Sequence, residues 1–128
     1  MEDFSGLLEA AAAARKNAYA PYSRFPVGAA VQTAGGRIFT GCNVENVSFG
    51  LTVCAERVAV FSAVAAGQKD LAVLALVADT PEPPMPCGAC RQVLHEFNPA
   101  MWIVCADLNG KKRIFRLDEL LPEAFSKF

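Results

Sequence analysis

The sequence predicts a three-layer α/β/α sandwich in which one five-stranded sheet lies between helices. Two observations predict this fold. Helical and strand-like patterns follow one another in the order αββαβαββ, and one strand, LAVLALVA, is apolar at every position. A strand of this kind is typical of a sheet that is covered on both faces. At 128 residues the chain has the length of one domain, so we expect residues 1–128 to form a single domain.

Three segments have the features of helices, and their neighbours explain where they begin and end. Residues 2–18 carry leucines and alanines at helical spacing, and Pro21 disfavours helix just beyond them. Residues 54–66 are followed by Gly67, a residue suited to a helix C-terminus. Residues 87–97 follow a proline-rich loop that cannot continue a helix or a strand. The C-terminal tail contains at most a short helical turn.

Five strands are predicted from short runs of β-branched, aromatic and other apolar residues that are bounded by turns. They cover residues 25–33, 37–42, 71–78, 101–106 and 112–116. Gly35-Gly36 and Asn109-Gly110 have the composition of tight turns, so two pairs of consecutive strands are expected to form hairpins. Trp102, in the fourth strand, is expected to be a packing residue.

Composition and charge argue against several classes of function. Hydrophobic residues make up 53% of the chain, enough to bury a core. Twelve Lys and Arg against 13 Asp and Glu leave a net charge of −1, without the basic surface that nucleic-acid binding needs. No apolar run reaches the roughly 18 residues of a membrane helix, and the N-terminus lacks the basic region of a secretory signal. We therefore expect a cytoplasmic protein without nucleic-acid or membrane partners, whose cysteines stay reduced.

Three of the five cysteines are placed to bind one metal ion. Cys87 and Cys90 have C-x₂-C spacing, and Cys54, like Cys87, stands where a helix is predicted to begin. Backbone N–H groups at a helix start favour thiolate over thiol, and three thiolates suit zinc. Three ligands leave a fourth position for water, which is typical of catalytic zinc. Cys42 and Cys105 lie in or beside apolar strands and are expected to be small core residues.

Glu56 follows Cys54 by two residues and puts a carboxylate beside that open position. Zinc lowers the pKa of bound water, and a nearby carboxylate can take and return the proton, so these residues predict a hydrolytic site. The alternative is three small buried cysteines and a surface glutamate. His95, the single histidine, sits two turns into the third helix and is not expected to be a ligand.

Four stretches resemble the small cytidine deaminases that act on free nucleosides, and they occur in the order expected of that family. They are AYAPYSRFPVGAA, GCNVENVSFG, TVCAERVAVFSA and PCGACRQVLHEF. The Cys-Ala-Glu and Pro-Cys-Gly-Ala-Cys motifs match the three-cysteine form of the zinc deaminase signature. The segments 43–46 and 25–30 narrow the resemblance to cytidine deaminases. It covers nearly the whole chain and implies a mixed five-stranded sheet.

The resemblance implies the reaction and the residues that perform it. The expected reaction is hydrolytic deamination of cytidine and 2′-deoxycytidine to uridine and 2′-deoxyuridine plus ammonia, a step of pyrimidine salvage. Cys54, Cys87 and Cys90 would hold one zinc ion per chain, whose water or hydroxide attacks C4 of the base. Glu56 would carry protons from the water to N3 and then to the leaving amino group.

Binding residues and assembly are implied in the same way. Phe25 would stack against the base, and Asn43 and Glu45 would hold the ribose through its 3′-hydroxyl. Arg57 would offset the negative charge that three thiolates leave on zinc; the alternative for it is a solvated helix residue. Family members of this length are homotetramers, in which Phe128 would reach a neighbour's base pocket; the alternative for it is a frayed terminus.

The chain departs from the common family pattern after Asn46, where Val47-Ser48-Phe49 replaces Ala-Ser-Tyr. Phe49 lacks a hydroxyl and Val47 adds bulk near the sugar, so both bear on substrate preference rather than on the metal. One alternative function is deamination of another aminopyrimidine nucleoside, such as blasticidin S. A polynucleotide deaminase is another, against which the net charge argues. A zinc-stabilised binding module without catalysis is the third, and it needs a fourth protein ligand.

Overall fold

The computed structural model describes residues 4–127, and the elements along them follow the order that the sequence predicts. The helices are α1 (Ser5–Arg15), α2 (Ala55–Ala65), α3 (Gly88–Phe97) and α4 (Leu117–Leu120). The strands are β1 (Val27–Thr33), β2 (Ile38–Cys42), β3 (Leu71–Ala78), β4 (Trp102–Ala106) and β5 (Lys112–Arg116). A short 3₁₀ helix covers Phe49–Leu51. None of the helices in the described part combines the length and apolarity needed to cross a bilayer.

The five strands form one mixed sheet in the order β2-β1-β3-β4-β5, which confirms the expected architecture. β3 and β4 are parallel, and every other neighbouring pair is antiparallel. A parallel pair needs a crossover connection, and the segment containing α3 provides it. The proline-rich loop before α3 therefore starts at the end of β3, where it can form one wall of a site.

Each face of the sheet has its own buried cluster, so the molecule has three layers. On one face α1 packs through Leu7 and Ala11 against residues such as Ala75 and Val104. On the other face α2 and α3 contribute to the larger cluster, with Leu94 of α3 buried in it. Burial on both faces explains why β3 reads as a continuous apolar run.

Two glycines let helices touch the sheet backbone. A Cβ built on Gly28 of β1 would lie 1.9 Å from the carbonyl oxygen of Ala11 in α1. A Cβ on Gly41 of β2 would lie 2.4 Å from the backbone nitrogen of Ala59 and 2.6 Å from the carbonyl oxygen of Ala55, both in α2. Gly41 therefore sets how closely the first turns of α2 approach the sheet.

The first helix differs from its predicted limits of 2–18. Its start at residue 2 lies outside the described residues, and it ends at Arg15. After Arg15 the amides of Lys16 and Asn17 bond three residues back, to Ala13 and Ala14, which closes the helix as a tightened turn. The other predicted limits agree to within two residues, and Gly67 has the positive φ of +84° expected after a helix.

Two packing predictions are wrong. Trp102 is 44% exposed because it stands at the first residue of β4, whereas α1 packs mainly on the other half of the sheet. Cys42 is half-buried because β2 is an edge strand. Cys105, on the central strand β4, is buried as expected.

Candidate active site

Two helix starts bring three cysteines together. Cys54 is the N-cap of α2 and Cys87 is the N-cap of α3, while Cys90 lies in the first turn of α3. The Sγ atoms of Cys54 and Cys87 are 3.9 Å apart, and those of Cys87 and Cys90 are 3.4 Å apart. All three sulfurs lie within 4.8 Å of one another, so the predicted grouping forms.

The donor set fits a metal ion that prefers sulfur. A tetrahedral zinc ion with Zn–S bonds of about 2.3 Å holds its sulfurs about 3.8 Å apart, close to the observed separations. Within residues 4–127, no other Cys, His, Asp or Glu joins the group, and His95 lies outside it as predicted. The cluster thus offers three ligands and one open position, rather than the closed set that a purely structural zinc site needs.

Arg57 turns its guanidinium toward the cluster instead of toward solvent. Its Nη2 donates to the Sγ of Cys54 at 3.5 Å. Hydrogen bonds from the Cys90 thiol and from Arg57 lower the pKa of Cys54, which favours its thiolate form. The same thiol–thiolate hydrogen bond raises the pKa of Cys90. Metal binding must therefore displace the proton of Cys90.

Glu56 is buried, with only 4% of its surface exposed, so the surface-glutamate alternative is wrong. It lies in the first turn of α2 and lines a cavity of about 240 Å³ together with Cys54 and Cys87. Burial, and to a smaller extent the negative charge of Cys54, raises the pKa of Glu56 to about 7. A carboxyl group with a pKa near neutrality can both accept and donate a proton under physiological conditions.

Asn43 reaches the same cavity from the segment that follows β2. Its Oδ1 accepts from the backbone N–H of Val27 at 2.8 Å, and its Nδ2 donates to the carbonyl oxygen of Phe25 at 2.9 Å. Val44 forms isolated β-bridges with Tyr19 and Val53, so this segment is extended. Alternate residues of an extended segment point the same way, which places Asn43 on the same side as residue 45.

Glu45 is bound to the loop that precedes β1. Its Oε1 accepts from the backbone N–H groups of Tyr22 and Ser23 at 2.9 and 3.1 Å, and its Oε2 accepts from the Ser23 hydroxyl. The hydrogen bond from the Ser23 side chain is the main cause of a lowered pKa at Glu45. The carboxylate is therefore ionised, and it lines the cavity beside Asn43.

The apolar residues that the sequence links to substrate binding or substrate preference lie in different places. Phe25 is 41% exposed and lines the same cavity as Cys54 and Cys87. Phe49 packs edge-on against Tyr22, with ring centroids 6.0 Å apart, in an adjoining cavity of about 420 Å³. Val47 is 75% exposed and does not line either cavity. Phe128 lies outside the described residues.

Several residues without a predicted role also line the cavity that contains Cys54 and Glu56, among them Thr52, Pro84 and Met85. The signal for the last two was the proline-rich stretch 80–86, which was interpreted only as a break between elements. Thr52 separates the extended segment from Cys54, and its hydroxyl accepts from the backbone N–H of Asn46 at 3.2 Å. The position of Thr52 in the wall of the cavity depends on that turn, and no pattern in the sequence indicates it.

Known proteins resemble this chain in sequence and in structure. The profile of the family described as "Cytidine and deoxycytidylate deaminase zinc-binding region" matches residues 1–106. A cytidine deaminase from Sporosarcina psychrophila is 48% identical over 126 residues, which cover 98% of this chain and 93% of that protein. A crystal structure of cytidine deaminase from Burkholderia pseudomallei superimposes with a TM-score of 0.93 at 51% identity, covering 98% and 100% of the two chains.

A more distant match bears on the alternative substrate. The blasticidin-S deaminase of Bacillus cereus is 32% identical over 109 residues, which cover 79% of this chain and 77% of that protein. The three-cysteine cluster, the buried glutamate beside it and matches that span nearly the whole chain agree with one another. The chain belongs to the cytidine and deoxycytidylate deaminase family and is an enzyme of the cytidine deaminase type.

Proposed function

We propose that the chain catalyses the zinc-dependent hydrolytic deamination of cytidine and 2′-deoxycytidine to uridine and 2′-deoxyuridine, with release of ammonia. One observation carries this proposal: a buried carboxylate, Glu56, lines the same cavity as two of three clustered cysteine sulfurs. The names of the relatives at 45–48% identity favour cytidine over blasticidin S, whose deaminase is more distant.

Cys54, Cys87 and Cys90 hold one zinc ion per chain in this proposal, and Arg57 offsets part of the negative charge of their thiolates. Zinc supplies the Lewis acidity that makes water a nucleophile near neutral pH. The start of α2, which carries Cys54, is held close to the sheet backbone at Gly41. Positive partial charge at the starts of α2 and α3 further favours the thiolate forms.

Glu56 moves the protons of the reaction. It accepts a proton from the attacking water and delivers it to N3 of the base. It then transfers the second proton of the water to the amino nitrogen, which leaves as ammonia, so that cytidine and water give uridine and ammonia. A pKa of about 7 suits a group that must accept and donate within one cycle.

Phe25, Asn43 and Glu45 bind the nucleoside in this proposal. Phe25, which is exposed and lines the cavity, stacks its ring against the base. After its two backbone hydrogen bonds, Asn43 keeps one amide proton and one acceptor site for the sugar. Glu45 is an ionised acceptor for the 3′-hydroxyl. Among the described residues, the walls of both cavities contain no Lys, Arg or His.

We propose a homotetramer, because large apolar side chains are exposed around the cavities. Val47, Phe49 and Leu51 are 75%, 74% and 66% exposed, and a patch of this kind is typical of an interface. Phe128 would then reach a neighbour's base pocket. We also propose that residues 1–128 form one domain and that the enzyme acts in the cytoplasm in pyrimidine salvage. Light scattering on the purified protein tests the assembly.

The test of the activity is the fall in ultraviolet absorbance as cytidine becomes uridine, measured on protein assayed for zinc. We expect rapid turnover with about one zinc per chain. Replacing Glu56 with Gln should keep the zinc and the fold but lower kcat about 10²–10⁴-fold, the usual effect of losing one acid–base group. Faster turnover of blasticidin S, or an unchanged rate in Glu56→Gln, would contradict the proposal.

A further inference from the structure

Ser23 connects two of the groups that are proposed to bind substrate. Its hydroxyl donates a hydrogen bond to Oε2 of Glu45 and accepts one from the backbone N–H of Phe25 at 3.1 Å. A serine hydroxyl has a single proton, so the bond to Glu45 uses its donor. Ser23, Glu45 and Phe25 all line the cavity that contains Cys54. The hydroxyl is thus directed at its neighbours in the protein rather than at a ligand.

The chain between these two anchors has an unusual conformation. Arg24 has a φ of +57°, in the left-handed region that residues with a side chain rarely adopt. Its backbone N–H donates to the carbonyl oxygen of Ala20 at 2.9 Å, and the Ser23 hydroxyl spans it to reach Phe25. Such a conformation persists where surrounding contacts over-determine it. The bond from Phe25 to Ser23 therefore helps to set the direction in which the chain leaves the turn.

The carboxylate of Glu45 is oriented by the same loop. Both of its oxygens accept hydrogen bonds from residues 22 and 23, which are more than 20 positions away in sequence. The Ser23 hydroxyl supplies the bond to Oε2, and no other bond to that oxygen is seen among the described residues. Without the hydroxyl, the backbone N–H bonds still hold Oε1, but rotation of the carboxylate about them is less restricted.

We propose that Ser23 is a positioning residue of this site: its hydroxyl orients the carboxylate of Glu45 toward the sugar and the ring of Phe25 toward the base. The inference rests on the proposed function, because it takes from there that Glu45 and Phe25 bind the nucleoside. Ser23 has no hydrogen bond with Glu56 or the metal-binding cysteines. Its loss therefore weakens substrate binding and leaves the proton transfers intact.

Steady-state kinetics with cytidine and 3′-deoxycytidine test this role. Replacing Ser23 with Ala should raise KM for cytidine about 5- to 30-fold, the effect of losing about 1–2 kcal/mol of binding free energy, with kcat little changed. Ser23→Thr retains the hydroxyl and should restore a KM near that of the wild type. 3′-Deoxycytidine lacks the hydroxyl that Glu45 accepts, so its KM should rise less in Ser23→Ala. Ser62→Ala, an exposed serine of α2, is the control and should change neither constant.

Each other outcome has a distinct meaning. An unchanged KM in Ser23→Ala, a fall in kcat alone, an equal rise for both substrates, or no rescue by Thr overturns the positioning role. Thermal unfolding of each variant shows whether a loss reflects misfolding, and Ser23→Thr decides the matter if the Ala variant is unstable. A wild-type enzyme that ignores cytidine overturns the proposed function itself, and the inference with it. One that turns over both nucleosides equally well leaves the deamination standing but overturns the proposed role of Glu45, and the inference with that role.

Discussion

The metal side and the sugar side of the site are built in different ways. On the metal side, Cys54 and Glu56 belong to one helix start, Cys87 and Cys90 belong to another, and Cys90 and Glu56 are at most 4% exposed. On the sugar side, hydrogen bonds join residues 16 to 23 positions apart, and Phe25 is 41% exposed. The carboxylate proposed to move protons and one of the three cysteines are therefore buried at helix starts, whereas the residues proposed to bind the sugar and the base are held by hydrogen bonds between loops.

The largest expected effect is on the metal side. Replacing Cys90 with Ala removes one of three ligands, so we expect loss of the zinc and of all measurable turnover. Because metal binding stabilises the folded state, the free energy of unfolding should fall by about 4 kcal/mol if free zinc exceeds its Kd a thousandfold. Zinc analysis and thermal unfolding measure both effects. Cys105→Ala, a buried cysteine outside the cluster, is the matched control and should keep its zinc.

A smaller effect is expected where the metal side rests on the sheet. Gly41→Ala puts a methyl group into the backbone of α2, so the helix start that carries Cys54 and Glu56 must shift. Overpacking of this kind costs about 1–3 kcal/mol of stability, and kcat should fall as well. The control is Gly6→Ala in α1, where a Cβ meets nothing within 4 Å and where alanine favours the helix. If Gly41→Ala matched the wild type in Tm and kcat, the close approach would not be what positions α2.

The smallest effect is expected on the sugar side, and it should appear in KM. Asn43→Ala removes two hydrogen bonds to the backbone of Phe25 and Val27, which we expect to lower kcat/KM for cytidine about 5- to 30-fold with zinc retained. Asn98→Ala is a matched control because Asn98 also bonds two backbone groups, at Leu71 and Ala100. Equal losses of kcat/KM in both variants would mean that Asn43 only stabilises the fold.

Local sequence patterns were sufficient to predict most of the fold and the candidate metal ligands. β3 and β5 were predicted at their observed limits because an apolar run or a hairpin turn marks each of them. The candidate metal ligands were identifiable because the sequence itself shows two thiols in C-x₂-C spacing and a third thiol at another predicted helix start. The exposure of Trp102 was not predictable, since it depends on where α1 ends over the sheet rather than on the residue type.

The sequence by itself was enough to predict the order of the helices and strands, the three candidate metal ligands and the acidic residue beside Cys54. Each of these predictions uses only patterns within a few positions of the chain. Only the tertiary structure decided that Glu56 is buried, that α2 rests on the backbone at Gly41, and that Glu45 and Phe25 share the hydroxyl of Ser23. Those features join segments that are distant along the chain. Their geometry follows from how helices, strands and loops pack, which no short sequence pattern records.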